Sequence, residues 1–224
     1  MNRTIKASCL VISLGFLASA AHADSVSLTF DGISGNYGQS VGVSLSGGYT
    51  FADGDSSKNI WAGQLSYTAD GDAIKTYCTE LTQWAASGTY DIVNVSNAPS
   101  SGPMGAAKAD AIYRLFNATN GAADIDTNAE AAAFQATIWE IVYDFDSGMN
   151  FTGGNVQFTG LNNSLVSLFA GYANDTQGDS TPNVIAYSNQ QYQDQLGMQI
   201  VPLPGAAAMA GLGLAGMATR RRRG

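Results

Sequence analysis

A cysteine and a glutamine far apart in the chain, Cys78 and Gln135, carry side chains that can react with each other. A thiolate can attack the carbonyl carbon of a side-chain carboxamide, expel ammonia and leave an internal thioester. The reaction requires contact between the two groups, exclusion of the water that would hydrolyse the product, and a proton for the amine leaving group. The alternatives are that Cys78 is a small buried residue, that Gln135 is a polar border position of a helix, or that Cys78 pairs with a second chain.

The residues around this pair supply large apolar groups and proton carriers. Tyr77 and Trp139 are large enough to shield a thioester, and Phe134 and Ile138 would complete a dry wall around it. Proton transfer without a histidine would use one of three side chains, and the sequence does not choose among them: Glu80, Glu140 and Tyr143.

The N-terminal segment, residues 1–23, has the form of a secretory signal peptide. Arg3 and Lys6 precede an apolar run from Cys9 to Ala20, and a small-x-small site ends at Ala23. Cleavage there removes one of the two cysteines and the only histidine, so Cys78 is the sole thiol of the exported body. This composition excludes an internal disulfide, a histidine base and a His/Cys zinc site, and we expect no cofactor.

The C-terminal segment, residues 201–224, has three parts. A motif containing Pro202 and Pro204 is followed by an apolar stretch at 205–219 and by the basic cluster Arg220, Arg221, Arg222 and Arg223. Fifteen helical residues cover about 22 Å, less than the roughly 30 Å hydrocarbon core, so the stretch is a marginal transmembrane helix. The arginines would remain cytoplasmic and leave the body outside.

This tail resembles the PEP-CTERM class of sorting signals in its VPLP-type variant, with Leu203 where the eponymous motif has Glu. The resemblance implies a Gram-negative exporter, an exosortase-like processing enzyme as a partner, and transient anchoring to the membrane through the C-terminal segment. The implied location is the cell surface or the extracellular matrix.

The body between the two signals, residues 24–200, is long enough for one domain with its own core. All 18 acidic residues of the chain fall there, against four basic ones, which gives the body a net charge of −14. Such a surface repels nucleic acid, so we expect no DNA or RNA partner.

The body begins with short alternating runs separated by Gly, Asp and Asn, a pattern that indicates a β-meander from Ser25 to Leu81. A further strand is predicted at 89–95, and closing strands are predicted in 149–160 and 183–201. Helical periodicity predicts helices at 104–117, at 127–143 behind a Thr127–Glu130 capping box, and at 162–172. The predicted fold is therefore β-rich α+β, a β-sandwich or barrel with two to three inserted helices.

The paired segments Tyr77-Cys78 and Phe134-Gln135-Ala136-Thr137-Ile138-Trp139 resemble the two motifs of bacterial thioester domains, which are surface adhesin modules. The resemblance implies that Cys78 donates the sulfur, that Gln135 donates the acyl group, and that Ile138 and Trp139 pack behind them. Thr79 and Phe134 depart from the residues frequent at their positions in that family. The expected function is adhesion or matrix attachment to an extracellular polysaccharide or a surface protein.

Two other functions compete with this interpretation. The first is an unreactive structural β-domain of the extracellular matrix, in which Cys78 and Gln135 only pack. The second, and the weakest, is a secreted hydrolase that uses paired carboxylates, for which the sequence offers Asp124 with Asp126 and Asp144 with Asp146. Apart from this hydrolase alternative, we expect that the protein is not an enzyme.

Overall fold

The computed structural model describes residues 25–181 and 183–198. The predicted signal peptide and the predicted sorting signal, with Pro202, Pro204 and Arg220 to Arg223, lie outside this range. Within the described residues, no helix has the length and apolar character needed to cross a membrane.

The described chain forms two antiparallel sheets and three α-helices. The elements in chain order are β1 (Ser25–Gly32), β2 (Gly38–Leu45), β3 (Ser57–Gly63), β4 (Leu65–Ala69), β5 (Asp72–Cys78), β6 (Gly88–Val93), α1 (Gly105–Ala118), α2 (Asn128–Asp144), β7 (Val156–Thr159), α3 (Asn163–Asn174), β8 (Val184–Ser188) and β9 (Gln195–Met198). Six strands close a barrel in the order β1-β4-β5-β9-β8-β6, and β3-β2-β7 form a separate sheet. The prediction of a β-rich fold with helices is confirmed, and the barrel is the form it takes.

The predicted meander is wrong in its strand pairing. β1 pairs with β4 and β6, whereas β2 pairs with β3 and β7 in the other sheet. Within the predicted meander, the alternating run at 60–69 changes sheets at Gly63, which faces Gly38 and has a φ of +146°. Local alternation of apolar and polar residues predicts where strands lie. It does not specify which strands pair, because the pairing depends on residues far apart in the sequence.

The three helices lie close to their predicted positions because their signals are local. α2 begins after a complete capping box, in which the Thr127 hydroxyl accepts the Glu130 N–H at 3.2 Å and the Glu130 carboxylate accepts the Thr127 N–H at 3.1 Å. α3 begins after Asn162, whose side chain accepts the N–H groups of Ser164 and Leu165. The helical period of α1 predicts Ala107 on its apolar face, but Ala107 is exposed and Ala109 is buried in the core instead.

The central helix α2 is buried on all sides. One face, with Phe134, Ile138 and Ile141, packs against α1 and α3 in one apolar cluster. The opposite face, with Ala136 and Trp139, packs in a second cluster formed with barrel and β2 side chains. The expected border position of Gln135 is therefore wrong: its side chain is 0% exposed. A helix enclosed by two layers has no solvent face, and its polar residues require internal partners.

Candidate functional site

Cys78 is the last residue of β5, and its side chain faces the second apolar cluster. Strand alternation places the neighbouring Tyr77 in the first cluster, on the other side of the strand. β5 pairs with β4 only as far as Thr76, whereas its pairing with β9 continues to Cys78 and Gln195. Among the described residues, one edge of β5 is thus without a strand partner at Cys78.

The side chain of Gln135 fills that edge. Its Nε2 donates to the Cys78 carbonyl oxygen at 2.8 Å, and its Oε1 accepts the Cys78 N–H at 2.9 Å. Both residues are buried, Cys78 at 6% exposure and Gln135 at 0%. The structure therefore brings the two sequence-predicted residues together, with the carboxamide held against the residue that carries the thiol.

This contact has two chemical consequences. The N–H of Cys78 already donates to the carbonyl oxygen of the carboxamide, which is the atom where negative charge would develop if the sulfur attacked. Equally, both polar ends of the Gln135 side chain are satisfied, as a purely structural buried amide requires. The contact thus places a donor beside the carboxamide oxygen, and it also forms a structural link between α2 and β5.

The surroundings of the Cys78 thiol do not activate it as a nucleophile. Burial, and secondarily the nearby Glu80 carboxyl, raise the pKa of the Cys78 thiol well above its ordinary value, while a hydrogen bond with Gln195 opposes the shift. The thiol is therefore protonated at neutral pH, and its attack requires a base to remove the proton.

Among the three candidate bases, Glu80 is the one whose charge affects the pKa of the Cys78 thiol. It is 1% exposed, and its Oε1 accepts the Asp194 N–H at 2.8 Å. Burial, followed by the Asp194 carboxylate, raises the pKa of Glu80 to about 8. In the neutral acid, the second oxygen can donate its proton to the Thr79 hydroxyl, whose own proton goes to the Asp194 carbonyl at 3.1 Å. A carboxyl with this pKa can exchange protons near neutral pH.

The other two proton carriers occupy different surroundings. The Tyr143 hydroxyl accepts the Leu81 N–H at 2.9 Å, which places it beside the segment that follows Cys78. Burial raises the pKa of Tyr143, so it remains protonated at neutral pH. Glu140 accepts the Asn150 N–H at 3.0 Å in the loop after α2, and burial raises its pKa to about 8. Contacts thus favour Glu80 and Tyr143 over Glu140 as partners of the Cys78 segment.

The four predicted shielding residues are all buried but lie in two places. Tyr77, Phe134 and Ile138 belong to the helical cluster, where the Tyr77 and Phe134 rings are 4.7 Å apart. Trp139 lies in the other cluster, stacks on Phe158 at 6.0 Å and lines the same cavity as Cys78. The groups that enclose the Cys78–Gln135 contact therefore come from both faces of α2.

Sequence reasoning missed the polar segment that completes the site, Gln193 to Gln195, which is buried although it reads as a polar loop within a closing strand. Gln195 is paired with Cys78 across the sheet and accepts the Thr76 hydroxyl at 3.0 Å. Asp194 accepts three groups, Ser100 N–H, Ser188 O–H and Asn189 N–H, at 2.6–2.8 Å. The sequence signal for this segment was the glutamine-rich run at 190–195, which precedes the apolar end of the predicted closing strand.

The carboxylates considered for hydrolysis differ in their surroundings. Asp144 is buried and accepts the N–H groups of Asn155 and Val156, so it fixes the start of β7. Asp146 is exposed and lies 3.6 Å from Lys108, and Asp124 and Asp126 are also exposed. No cluster of three or more metal-ligating side chains occurs within residues 25–181 and 183–198.

Comparisons with protein-family models, with curated proteins and with solved structures found no match to this chain. The functional interpretation therefore depends on the geometry of the Cys78–Gln135 site.

Proposed function

We propose that the protein is an exported, surface-sorted adhesion or matrix protein whose Cys78 and Gln135 form an internal thioester. The observation that carries this proposal is the pair of hydrogen bonds between the Gln135 carboxamide and the backbone of Cys78. The predicted signal peptide and sorting signal support export and surface location, and the acidic body supports a partner other than nucleic acid.

Thioester formation exchanges one bond for another. The Cys78 sulfur attacks the carboxamide carbon of Gln135, the carbon–nitrogen bond breaks, and ammonia leaves with the proton of the thiol. The Cys78 N–H stabilises the oxygen of the tetrahedral intermediate. Glu80 accepts the thiol proton and returns it to the departing nitrogen, a role that its near-neutral pKa permits.

The thioester then acts as an electrophile for a partner. An amine or hydroxyl of the partner attacks the Gln135 acyl carbon, the carbon–sulfur bond breaks, and the nucleophile's proton is transferred to the Cys78 sulfur. The product is an amide or ester that joins the partner to Gln135. Burial of the pair slows hydrolysis, because it limits the access of water to the acyl carbon.

The intact mass of the protein purified after export tests this proposal. We expect a mass lower by one ammonia, a gain of one methylamine on incubation with that amine, and a thiol that becomes alkylated only after this addition. The matched controls are Cys78→Ala and Gln135→Ala, which should have unmodified masses and gain no methylamine. An unmodified mass in the parent protein, with Cys78 alkylated on unfolding, would exclude the thioester.

A structural role of the same two residues is the second candidate, and the full satisfaction of the Gln135 side chain favours it. In that case the hydrogen bonds only join α2 to the barrel, and the protein is an unreactive matrix domain. The mass measurement separates the two functions, because a structural contact retains the ammonia.

A further inference from the structure

A cavity of about 250 Å³ leads from the surface to Cys78, and its walls are mainly apolar. All three tryptophans of the chain line it, Trp61, Trp84 and Trp139, together with Phe30. Trp84 is 45% exposed and marks the mouth, whereas Trp139 is 1% exposed and lies in the interior. Drug-sized ligands occupy cavities of about 300–1,000 Å³, so this one suits a single small ring.

Two residues of the cavity lining, Trp139 and Gln193, carry hydrogen-bonding side chains. The indole Nε1–H of Trp139 is buried and has no acceptor among the described residues. Buried donors are nearly always paired, so a ligand oxygen is a natural partner for it. Gln193, which is 6% exposed, also lines the cavity; its Nε2 donates to the Glu80 carbonyl oxygen and its Oε1 accepts from Gln195 Nε2. Flat apolar walls with a few polar groups match a ligand that has both an apolar face and hydroxyl groups.

Charge narrows the class of ligand. None of the described residues that line the cavity is charged. The Lys58 ammonium lies 5.5 Å from the centre of the Trp84 ring and also pairs with Asp53 and Asp55. A cationic ligand would meet this ammonium at an aromatic face that is already engaged by a cation. An anionic ligand would be repelled by the net charge of −14 on residues 24–200.

We propose that this three-tryptophan cavity binds a neutral sugar ring of an extracellular polysaccharide and presents one of its hydroxyls to the Gln135 acyl carbon. The proposal rests on the thioester function for its covalent step, but the binding step does not. In the covalent step the sugar oxygen bonds to the acyl carbon, the carbon–sulfur bond breaks, and the hydroxyl proton passes to the Cys78 sulfur. The product is a sugar ester of residue 135 and a free thiol.

Binding is measured on a Cys78→Ala variant, which cannot form the thioester. The probes are neutral linear gluco-, galacto- and manno-oligosaccharides, and the readout is intrinsic tryptophan fluorescence, which reports on this cavity because all three tryptophans line it. We expect a saturable change with at least one series. Adding Trp84→Ala should weaken binding about tenfold or more, equivalent to about 1.4 kcal/mol, whereas Trp84→Phe should retain most of it.

Leu168→Ala provides a matched control, because Leu168 is a similarly exposed apolar side chain, at 46%, on α3. It should not change oligosaccharide binding. Absence of binding by every series, or equal binding after Trp84→Ala, would overturn the sugar proposal whatever the state of the thioester.

The covalent step is measured by incubating the thioester-competent parent protein with the oligosaccharide that binds and, separately, with a lysine-containing peptide. A mass gain of one oligosaccharide together with release of the Cys78 thiol supports the proposal. Adducts with the peptide alone would overturn it and leave the thioester function standing. Oligosaccharide binding by a parent protein that retains its ammonia would instead refute the thioester and leave sugar recognition in place.

Discussion

Gln135 and Cys78 are 57 positions apart, yet the Gln135 side chain makes the two hydrogen bonds that a neighbouring strand would otherwise make to Cys78, at 2.8 and 2.9 Å. β4 ends its pairing at Thr76, so no strand reaches these backbone groups from that side. A side chain from a helix thus extends the pairing of a barrel strand and couples α2 to the wall of the barrel.

Replacing Gln135 with leucine should destabilise the fold strongly. Leucine fills a similar volume but cannot form hydrogen bonds, so it leaves the buried N–H and C=O of Cys78 without partners, at a cost of about 1–3 kcal/mol for each unsatisfied group. Urea unfolding, with the midpoint and slope analysed separately, measures the loss. The control Cys78→Ala retains both hydrogen bonds and should lose less free energy of unfolding than Gln135→Leu. Equal losses would show that the bonds contribute little.

The buried carboxyls Glu80 and Glu140, with a further contribution from Asp194, whose pKa burial also raises, predict that stability falls as pH rises toward 8. Glu80 and Glu140 each have a folded-state pKa of about 8, against an ordinary value of 4.5. Between these values the folded state holds protons that the unfolded state has released, so the free energy of unfolding decreases with pH by up to about 1.4 kcal/mol per pH unit for each group. Their stabilising contribution is complete below pH 4.5 and is lost above pH 8.

Urea unfolding at several pH values between 5 and 8 measures this slope. Glu80→Gln and Glu140→Gln should each reduce it, because a glutamine does not titrate, and the double variant should retain only the dependence contributed by Asp194. A slope that remains unchanged in the double variant would assign the pH dependence to other groups.

The capping box at the start of α2 predicts a smaller and local effect. Thr127→Ala removes the hydroxyl that accepts the Glu130 N–H and should lower the free energy of unfolding by about 1 kcal/mol. Thr127→Ser keeps an acceptor in the same place and should restore most of the loss. Thermal unfolding followed by circular dichroism compares the three proteins; equal stability of the alanine and serine variants would contradict the cap's contribution.

Features encoded by neighbouring residues could be predicted from the sequence, and features that depend on distant ones could not. The Thr127–Glu130 box and the apolar period of α2 lie within a few residues of one another, so the helix could be located. The complete burial of Gln135 required knowing that both faces of α2 are covered. The contribution of Asp194 could not be predicted. In the structure its buried carboxylate accepts two backbone N–H groups and one hydroxyl, but in the sequence it looks like an ordinary loop residue.

The strand pairing could not be predicted for a related reason, and Gly63 shows why. The chain passes from the second sheet to the barrel between Gly63 and Leu65, and this passage needs the Gly63 backbone in direct contact with β2. A Cβ at position 63 would lie 2.5 Å from both the Gly38 Cα and the Tyr37 carbonyl oxygen. A glycine in an alternating run indicates a close approach of this kind but does not identify the partner.

Gly63→Ala should therefore be far more destabilising than a matched glycine substitution. Gly71 also has a positive φ, +102°, but a Cβ there would meet nothing within 4 Å, so Gly71→Ala carries only the conformational cost of about 1 kcal/mol. Gly63→Ala adds a clash of the new Cβ with backbone atoms of residues 37 and 38, which no side-chain rotation relieves. Comparing the two variants by urea unfolding isolates the steric part. Equal losses in the free energy of unfolding would show that the contact of Gly63 with β2 adds no steric cost. Gly63 would then not explain why β3 and β4 belong to different sheets.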